Sequence, residues 1–413
     1  GPFNGPYLTR CMQDTGRLLR EVFSASKVVV SGCTARRCLS SLSTSRANTV
    51  FWLNSGDIFR NLAFEATLFA DKQHYQNDSA GGRRLADAVL WKSDPCVVIG
   101  LHQNAWLEAN PQEVQRRGWR LARRMSGGGA VFHDFGNLNV SFVESRSTLE
   151  RRKCMEFLQR VLMRHWAHLN VFVGPRYDLW LLPAGLRDAD NPKEVPAGAL
   201  KFSGSASRFS SAVALHHCTM LFNSDLQNLS AVLTPALAHM ETKASRSVRS
   251  HVANLKIPGE ELKTVLVDAL RSWLSMDSPT EETSKVIYVN PGDEARWVDG
   301  AEFAKNLQTF SSWEWVFGTS PKFTIPLRIA ADRTIHVQCQ KGRFVGFQEE
   351  ETDVSDAALS SWLRQLAHAL SESPCKRNAW LVPIYAFLST SAGHLSTQQI
   401  EIISQLRRVS ASF

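Results

Sequence analysis

Residues 123–139 read RRMSGGGAVFHDFGNLN, the most unusual stretch of the chain. Three consecutive glycines, Gly127, Gly128 and Gly129, each cost about 1 kcal/mol against alanine in regular structure. Glycine tolerates positive φ and lets a ligand approach bare backbone N–H groups. The pattern predicts a cradle for an anionic, phosphate-bearing ligand, and the alternative is a glycine-rich hairpin turn flanked by solvated charges. Two arginines precede the loop, and the polar residues after it are His133, Asp134, Asn137 and Asn139.

This loop is neither of the two common phosphate-binding motifs. The chain contains no GxxxxGK[ST], so it is not a P-loop. A dinucleotide fingerprint needs GxGxxG opening a helix, whereas the residues after this loop have the pattern of a strand.

A second motif, KFSGSASR, occupies residues 201–208. The small residues after Lys201 leave room for a ligand, and a strand lysine facing a pocket is a compact positive charge. Such a group stabilises negative charge that develops between a carboxylate and a phosphate. The alternative for an isolated lysine is an exposed position on a strand.

A third motif, LHHCTM, occupies residues 215–220. Adjacent residues of a strand point to opposite faces, so His216 and His217 do not easily bind one metal, and we expect no metal site. The alternative is one core and one surface histidine. Cys218 could serve as an acyl-thioester nucleophile, but we interpret it as a buried, unreactive cysteine.

Charge is concentrated at the front of the chain. The 413 residues carry a formal net charge of +8, of which residues 1–49, with seven Lys or Arg against two acidic residues, contribute +5. Because the remainder is near neutral, we expect no nucleic-acid partner. No apolar run approaches the roughly 18 residues that a membrane span needs, so we expect no membrane insertion.

The first 49 residues are predicted to be a mitochondrial transit peptide. Residues 22–56 contain no acidic residue and are rich in arginine and serine, which is typical of such leaders. The alternative is a disordered basic tail. The eight cysteines form no CxxC pair, and their scatter suits a reducing compartment.

The remaining residues alternate between helical and strand patterns. Residues 57–72 have helical spacing, and residues 138–142 alternate as in a half-buried strand. From about residue 321, three short strands and two helices, over 355–370 and 396–408, form enough structure for a small core. We predict a catalytic domain over 50–319 and a small accessory domain over 320–413.

In this order, the three motifs resemble those of the lipoate–protein ligase and lipoyltransferase family. Residues 123–139 match its arginine pair, SGGG, aromatic-His-Asp and GNxN, and residues 201–206 match K-x-SG-[ST]-A. HHCT at 216–219 is similar to the animal mitochondrial lipoyltransferase form. The resemblance covers nearly all of 51–413. It implies an α+β fold: a biotin-ligase or class II synthetase-like catalytic domain of mixed sheets with flanking helices, plus a small α+β accessory domain.

The resemblance also implies residue roles. Lys201 matches the family's central lysine, which contacts the acyl carbonyl and the phosphate. Arg176 and Asp178 match an R-x-D-L strand, with Arg176 near the ligand and Asp178 near the acceptor amine, whose proton it would take.

Other positions match residues that bind lipoyl-AMP. Phe132 stands where the family often has tyrosine, lining the acyl pocket, and Thr219 lies at the adenylate. Val248 and Ser250 match a loop that folds over the adenine. The remaining residues predicted to bind lipoyl-AMP are Ser126, Gly127, Gly128, Gly129 and Asn137.

The implied activity is transfer of a lipoyl group from lipoyl-AMP, or from a lipoylated carrier protein, to a lysine ε-amine. The implied acceptors are lipoyl domains of the acyltransferase subunits of 2-oxoacid dehydrogenase complexes and the glycine-cleavage H protein. No cofactor is expected to be tightly bound, and we expect a mitochondrial monomer.

Two alternatives remain. A full ligase would make lipoyl-AMP from lipoate, ATP and Mg²⁺, but Leu101 replaces an arginine common in the family, and Ala105 replaces a proline. That loss of a cation and the HHCT form favour the transferase. The alternative of another class is a non-catalytic scaffold that binds acyl nucleotides.

Overall fold

The computed structural model describes residues 48–71, 86–183, 185–186, 194–235, 237–276, 284–331, 333–349, 356–391 and 394–413. The predicted leader, 1–49, lies outside these ranges except for its last two residues. Asn48 and Thr49 are buried, and the Asn48 amide donates to the Leu274 carbonyl over 2.8 Å. These two residues therefore belong to the folded body.

Sixteen strands are present within the described ranges. In chain order they are β1 (Thr49–Leu53), β2 (Ala86–Trp91), β3 (Cys96–Ile99), β4 (Arg120–Arg123), β5 (Val131–His133), β6 (Asn137–Ser145), β7 (Val171–Val173), β8 (Leu179–Leu181), β9 (Leu200–Ser203), β10 (Ser205–Phe209), β11 (Val213–Leu221), β12 (Glu241–Thr242), β13 (Lys285–Val289), β14 (Phe323–Ala330), β15 (Arg333–Gln340) and β16 (Arg343–Glu349).

The α-helices lie between and after these strands. They are α1 (Ile58–Ala70), α2 (Ala105–Glu108), α3 (Pro111–Arg116), α4 (Arg151–His165), α5 (Leu226–Val232), α6 (Gly259–Ser275), α7 (Gly300–Ser311), α8 (Ala357–Leu370), α9 (Leu381–Thr390) and α10 (Thr397–Ser412). The predicted α+β class, with mixed sheets and flanking helices, is confirmed.

The largest sheet has six strands in the order β10-β11-β6-β2-β1-β13. The β1 strand pairs in parallel with β2 and β13, and the other pairs are antiparallel. Helices cover both faces: apolar side chains of α4 and α6 pack on one, and those of α1 and α7 on the other. Because both faces are covered, every residue of β1, β2 and β6 is buried. The strand predicted over 138–142 is present as part of β6, but the prediction that it is half-buried is wrong, because its polar residues also face a covered side of the sheet.

Helix α1 begins where the sequence predicted, one residue after Asp57. The Asp57 carboxylate caps the helix by accepting from the Phe59 amide over 2.8 Å. The predicted helix over 57–72 therefore exists, two residues shorter at its end.

Two small sheets lie beside the large one, in the orders β4-β3-β5 and β7-β8-β9. The first carries the strands on either side of the triple glycine. The second carries β8 and β9, which pair antiparallel with Trp180 opposite Lys201.

The C-terminal region has its own antiparallel sheet, β12-β14-β15-β16, covered by α8, α9 and α10. The three predicted strands and two predicted helices are present. The sequence missed α9, which has Pro383 in its first turn and no side-chain cap. Trp106 and Leu107 also pack into this core, so the division at 319/320 stays a prediction.

No helix within the described ranges is long and apolar enough to span a membrane.

Candidate active site

One cavity of about 780 Å³ brings the three sequence motifs together. It lies between the glycine loop, the β8–β9 hairpin, β11 and the segment 245–252. Three predicted residues do not line it: Ser126, Gly127 and Asn137 lie behind its wall. The predicted residues that do line it are Gly128, Gly129, Phe132, Arg176, Asp178, Lys201, Thr219, Val248 and Ser250.

The pairing of β8 and β9 carries Lys201 into the cavity. The Lys201 backbone also bonds to the segment 245–252, donating to the His251 carbonyl over 2.8 Å. The side chain is largely covered, and its Nζ lies 2.6 Å from Asp178 Oδ2. The long connection between the two strands therefore does not separate these residues, since strand pairing fixes their placement.

The Asp178 side chain is itself fixed by hydrogen bonds to its neighbours. Its side chain is almost fully buried, and its Oδ1 accepts from the Ser205 amide over 3.0 Å. The Arg176 guanidinium lies 3.9 Å away and is more than half exposed. Thr219 Oγ1 accepts from the Gly204 amide over 3.0 Å, which fixes the turn after Lys201. The Lys201 ammonium and the Arg176 guanidinium thus both line the cavity, the first largely covered and the second exposed.

The glycine loop meets distinct requirements at two of its positions. Gly128 has φ +86°, a conformation that other residues rarely adopt. A Cβ on Gly129 would lie 3.1 Å from the Ser247 hydroxyl oxygen, a contact so tight that the two segments would have to move apart by a few tenths of an ångström. Within the described part of the chain, the amides of Gly127, Gly128 and Gly129 donate to no protein acceptor. Such amides suit an anionic ligand.

The arginine pair shapes this loop rather than supplying free charge to the cavity. Arg123 is fully buried and does not line the cavity, and burial lowers its pKa to about 9. Its guanidinium donates to carbonyls of two segments, 100–103 and 315–316. Arg124 donates to the carbonyls of Gly127 and Gly129 over 2.6 and 2.7 Å. Arg123 therefore supplies no free cation to the cavity, because its donors are used by backbone carbonyls.

Sequence reasoning missed two cavity residues, Glu65 and His217. Glu65 Oε2 lies 3.5 Å from His217 Nδ1, and Glu65 Oε1 accepts from the Trp91 indole and the Ser141 hydroxyl. Burial raises the pKa of Glu65, but these partners, His217 first among them, outweigh burial and leave the pKa below 4.5. A sequence signal existed: Glu65 lies in register with the apolar residues Leu62 and Phe69 of α1.

The adjacent histidines do point to opposite faces. His216 is fully buried, its Nδ1 pairs with the Ser207 hydroxyl at 2.8 Å, and burial lowers its pKa to about 3. His217 faces the cavity, and its Nε2 lies 2.7 Å from the Ser126 hydroxyl. The reading of one surface histidine is therefore wrong, because α1 covers that face of β11.

Cys218 lines the cavity, and Asn137 is buried behind its wall. Burial raises the pKa of the Cys218 thiol to about 12, which agrees with an unreactive cysteine. The Asn137 amide lies 2.7 Å from Nδ1 of His133, a buried histidine whose pKa is lowered by burial to about 3. Among the described residues, no group of three His, Cys, Asp or Glu side chains could hold a metal ion.

The cavity has two unlike ends. One is enclosed by buried side chains, including Leu62, Trp91 and Phe132, and the other is open beside the exposed Arg176 and Val248. An enclosed apolar end accepts a chain, and an open end with cations and free amides accepts a charged group. Fold and cavity together define a protein that can bind a ligand with an apolar part and an anionic part.

Comparison with known proteins defines the particular family. The family model of the lipoyl protein ligase A/B catalytic domain matches residues 57–271. The mouse mitochondrial lipoyl amidotransferase LIPT1 is 33% identical over 285 residues, which are 68% of this chain and 67% of that protein. Lipoate-protein ligase A of Bdellovibrio bacteriovorus is 32% identical over 57% of this chain and 64% of its own length. These matches thus span about two thirds of each relative.

The fold agrees with this assignment. The crystal structure of P. falciparum LipL1 in complex with lipoate aligns with a TM-score of 0.51 at 20% identity, covering 88% of this chain and all of that one. The chain belongs to the lipoyl protein ligase A/B catalytic-domain family and is an enzyme of lipoyl transfer.

Proposed function

We propose that the protein is a lipoyltransferase that moves a lipoyl group from an activated donor to a protein lysine. The donor is lipoyl-AMP or a lipoylated carrier protein, and the acceptors are lipoyl domains of 2-oxoacid dehydrogenase acyltransferase subunits and the glycine-cleavage H protein. The observation that carries the proposal is the Lys201–Asp178 pair, 2.6 Å apart, on the cavity that the glycine loop also lines.

When lipoyl-AMP is the donor, the step needs little covalent help from the protein, because the acyl–phosphate anhydride is already activated. The acceptor amine attacks the acyl carbonyl carbon, a C–N bond forms, and the C–O bond to phosphate breaks with its electron pair leaving on AMP. Negative charge builds on the carbonyl and phosphate oxygens during this step. In the proposal, Lys201 stabilises that charge, and such preorganised groups are worth about 10²–10³ in rate.

The attacking amine must be neutral, although a free lysine has a pKa near 10.4. In the proposal, Asp178 accepts the proton that the amine loses. Its carboxylate now bonds the Lys201 ammonium and the Ser205 amide. When a ligand draws Lys201 onto its phosphate, the Oδ2 atom becomes available to the amine.

The two ends of the cavity fit the two parts of lipoyl-AMP. The lipoyl chain occupies the enclosed end, beside Phe132 and Trp91. The nucleotide occupies the open end, beneath Val248 and Ser250, with its phosphate near Gly128 and Thr219.

We place the enzyme in mitochondria. The basic, acid-free character of residues 22–56 supports this location, and the similar mouse and human proteins are both named as mitochondrial.

One assay tests the donor and the activity together. The protein is incubated with an apo lipoyl domain and lipoyl-AMP, or lipoate with ATP and Mg²⁺, or a lipoylated H protein, and the acceptor is weighed by mass spectrometry. Modification with the first or third donor only supports the transferase. Modification with lipoate, ATP and Mg²⁺ establishes a full ligase. No modification with any of the three donors favours a non-catalytic scaffold.

The role of Asp178 needs a separate test. In Asp178→Asn, the rate of lipoyl transfer should fall at every pH, because no carboxylate remains to take the proton of the acceptor amine. An Asp178→Asn enzyme with the wild-type rate across pH would remove the base from the mechanism.

A further inference from the structure

A buried carboxylate outside the proposed chemistry connects two walls of the cavity. Glu108, the last residue of α2, is nearly fully buried. Its Oε2 accepts from the Ser247 amide over 3.1 Å, and its Oε1 accepts from Arg246 Nε over 3.0 Å. Glu108 therefore anchors the segment 245–252, which carries Val248 and Ser250 over the open end.

Ser247 connects the anchored segment 245–252 to the glycine loop by hydrogen bonds. Its hydroxyl oxygen accepts from the Ala130 amide over 2.8 Å and from Gln103 Nε2 over 3.0 Å. Gln103 in turn accepts from the Gly100 amide over 2.9 Å. The Ser247 hydroxyl thus joins the segment 245–252, the glycine loop and the turn after β3.

The close approach of these walls depends on glycine. A Cβ on residue 129 would lie 3.1 Å from the Ser247 hydroxyl oxygen, closer than most side chains approach a neighbour. The absence of that Cβ at Gly129 permits the hydrogen bond from the next residue, Ala130. The third glycine is thereby explained by the contact with Ser247.

We propose that Glu108 is a positioning residue that, through Ser247, holds the segment 245–252 closed on the glycine loop and keeps water from the acyl–phosphate bond. This inference rests on the proposed function. A mixed anhydride has two fates in such a site, aminolysis by the acceptor and hydrolysis by water. The Glu108–Ser247 connection controls the ratio of hydrolysis to aminolysis, whereas Lys201 accelerates both reactions.

The chain supplies a matched control for Glu108. Glu113 lies five residues further on, in α3, and its carboxylate bonds Arg116 and Arg117 over 2.7 and 2.6 Å. It does not line the cavity. Loss of Glu113 removes a comparable carboxylate and leaves the two walls joined.

The experiment measures both fates of lipoyl-AMP with an apo lipoyl domain as acceptor: lipoylated domain by mass spectrometry, and free lipoate by chromatography. In Glu108→Ala and Ser247→Ala, hydrolysis per transfer should rise about ten-fold, since each loses a hydrogen bond involving a buried group. Glu108→Gln should recover part of the wild-type ratio. Glu113→Ala should keep it, and the double variant Glu108→Ala/Ser247→Ala should be no worse than either single.

Thermal unfolding of each variant is measured alongside, and if Glu108→Ala does not fold, Glu108→Gln and Ser247→Ala carry the test. An unchanged ratio in folded Glu108 and Ser247 variants would overturn the inference. A wild-type protein that modifies no acceptor would overturn the proposed function instead. In that case, faster release of bound lipoyl-AMP from Ser247→Ala than from Glu113→Ala would still support the Glu108–Ser247 connection. Equal release from the two variants would refute it.

Discussion

The cavity region and the C-terminal region bury different kinds of side chain. Around the cavity, charged and polar groups such as Glu65, Arg123, His133 and Asp178 are almost fully covered. From Phe323 to the end of the described chain, Ser410 is the one residue of polar or charged type that is fully covered. The C-terminal core is built instead from residues such as Leu366.

This difference distinguishes a region built to bind from one built to fold. A buried polar group is costly unless it is bonded, and apolar residues of similar volume often serve stability as well or better. A cluster of bonded polar groups around one cavity therefore indicates a ligand, whereas an apolar core indicates packing alone.

The largest effect on stability is expected from Arg123→Met. The change leaves several buried carbonyls, including those of Gly100 and Val316, without a donor. Each costs about 1–3 kcal/mol, so the free energy of unfolding should fall by more than about 4 kcal/mol. Urea denaturation measures it, with the exposed Arg408→Met as control. A loss no larger than that of the control would contradict the role given to Arg123.

A smaller effect, about 3 kcal/mol, is expected from Leu366→Ala in the C-terminal core. This change creates a cavity far from the buried polar groups. The lipoyl-transfer rate per folded molecule should stay at the wild-type value, measured at a temperature where the variant is folded. A fall in that rate would show that the two regions are not separable in the way proposed.

The effect that is smallest per unit of change is a pH dependence of stability. His133 and His216 have pKa values near 3 in the folded protein, because burial disfavours the charged ring, against 6.5 when exposed. Between about pH 6.5 and pH 3 the unfolded chain binds more protons, so stability falls as the pH falls through this window. Each histidine contributes at most about 1.4 kcal/mol per pH unit.

His216→Gln removes one of these two titrating groups while keeping a side chain that can bond Ser207. The slope of unfolding free energy against pH should become shallower between pH 6 and 4, and should equal that of the wild type above pH 7. Urea titrations at several pH values measure both slopes. An unaltered slope at acid pH would mean that His216 does not titrate as its burial predicts.

The sequence predicted the elements whose patterns are local. Helix α1 has its cap at Asp57, and β14, β15 and β16 are bounded by polar turns, so their existence follows from spacing. The motifs around Gly128, Lys201 and Thr219 were predicted to share one site, and the structure brings them to one cavity.

The features that could not be predicted from the sequence depend on contacts between residues far apart in the chain. Glu65 and His217 meet because α1 packs on β11, 152 positions apart in the chain. Arg123 directly precedes the glycine loop in sequence, but its partners at 315–316 lie far along the chain. The sequence pattern can show that a charged residue stands at an unusual position. Only the tertiary structure shows which residues form hydrogen bonds with it.

The central claim is that the Lys201 ammonium stabilises the charge that develops as the acyl–phosphate bond breaks. Single-turnover lipoyl transfer from saturating lipoyl-AMP tests it, with wild type, Lys201→Ala and the C-terminal control Lys376→Ala. The account predicts a rate about 10²–10³-fold lower for Lys201→Ala and an unaltered rate for Lys376→Ala. Transfer by a folded Lys201→Ala enzyme within about two-fold of wild type would contradict it.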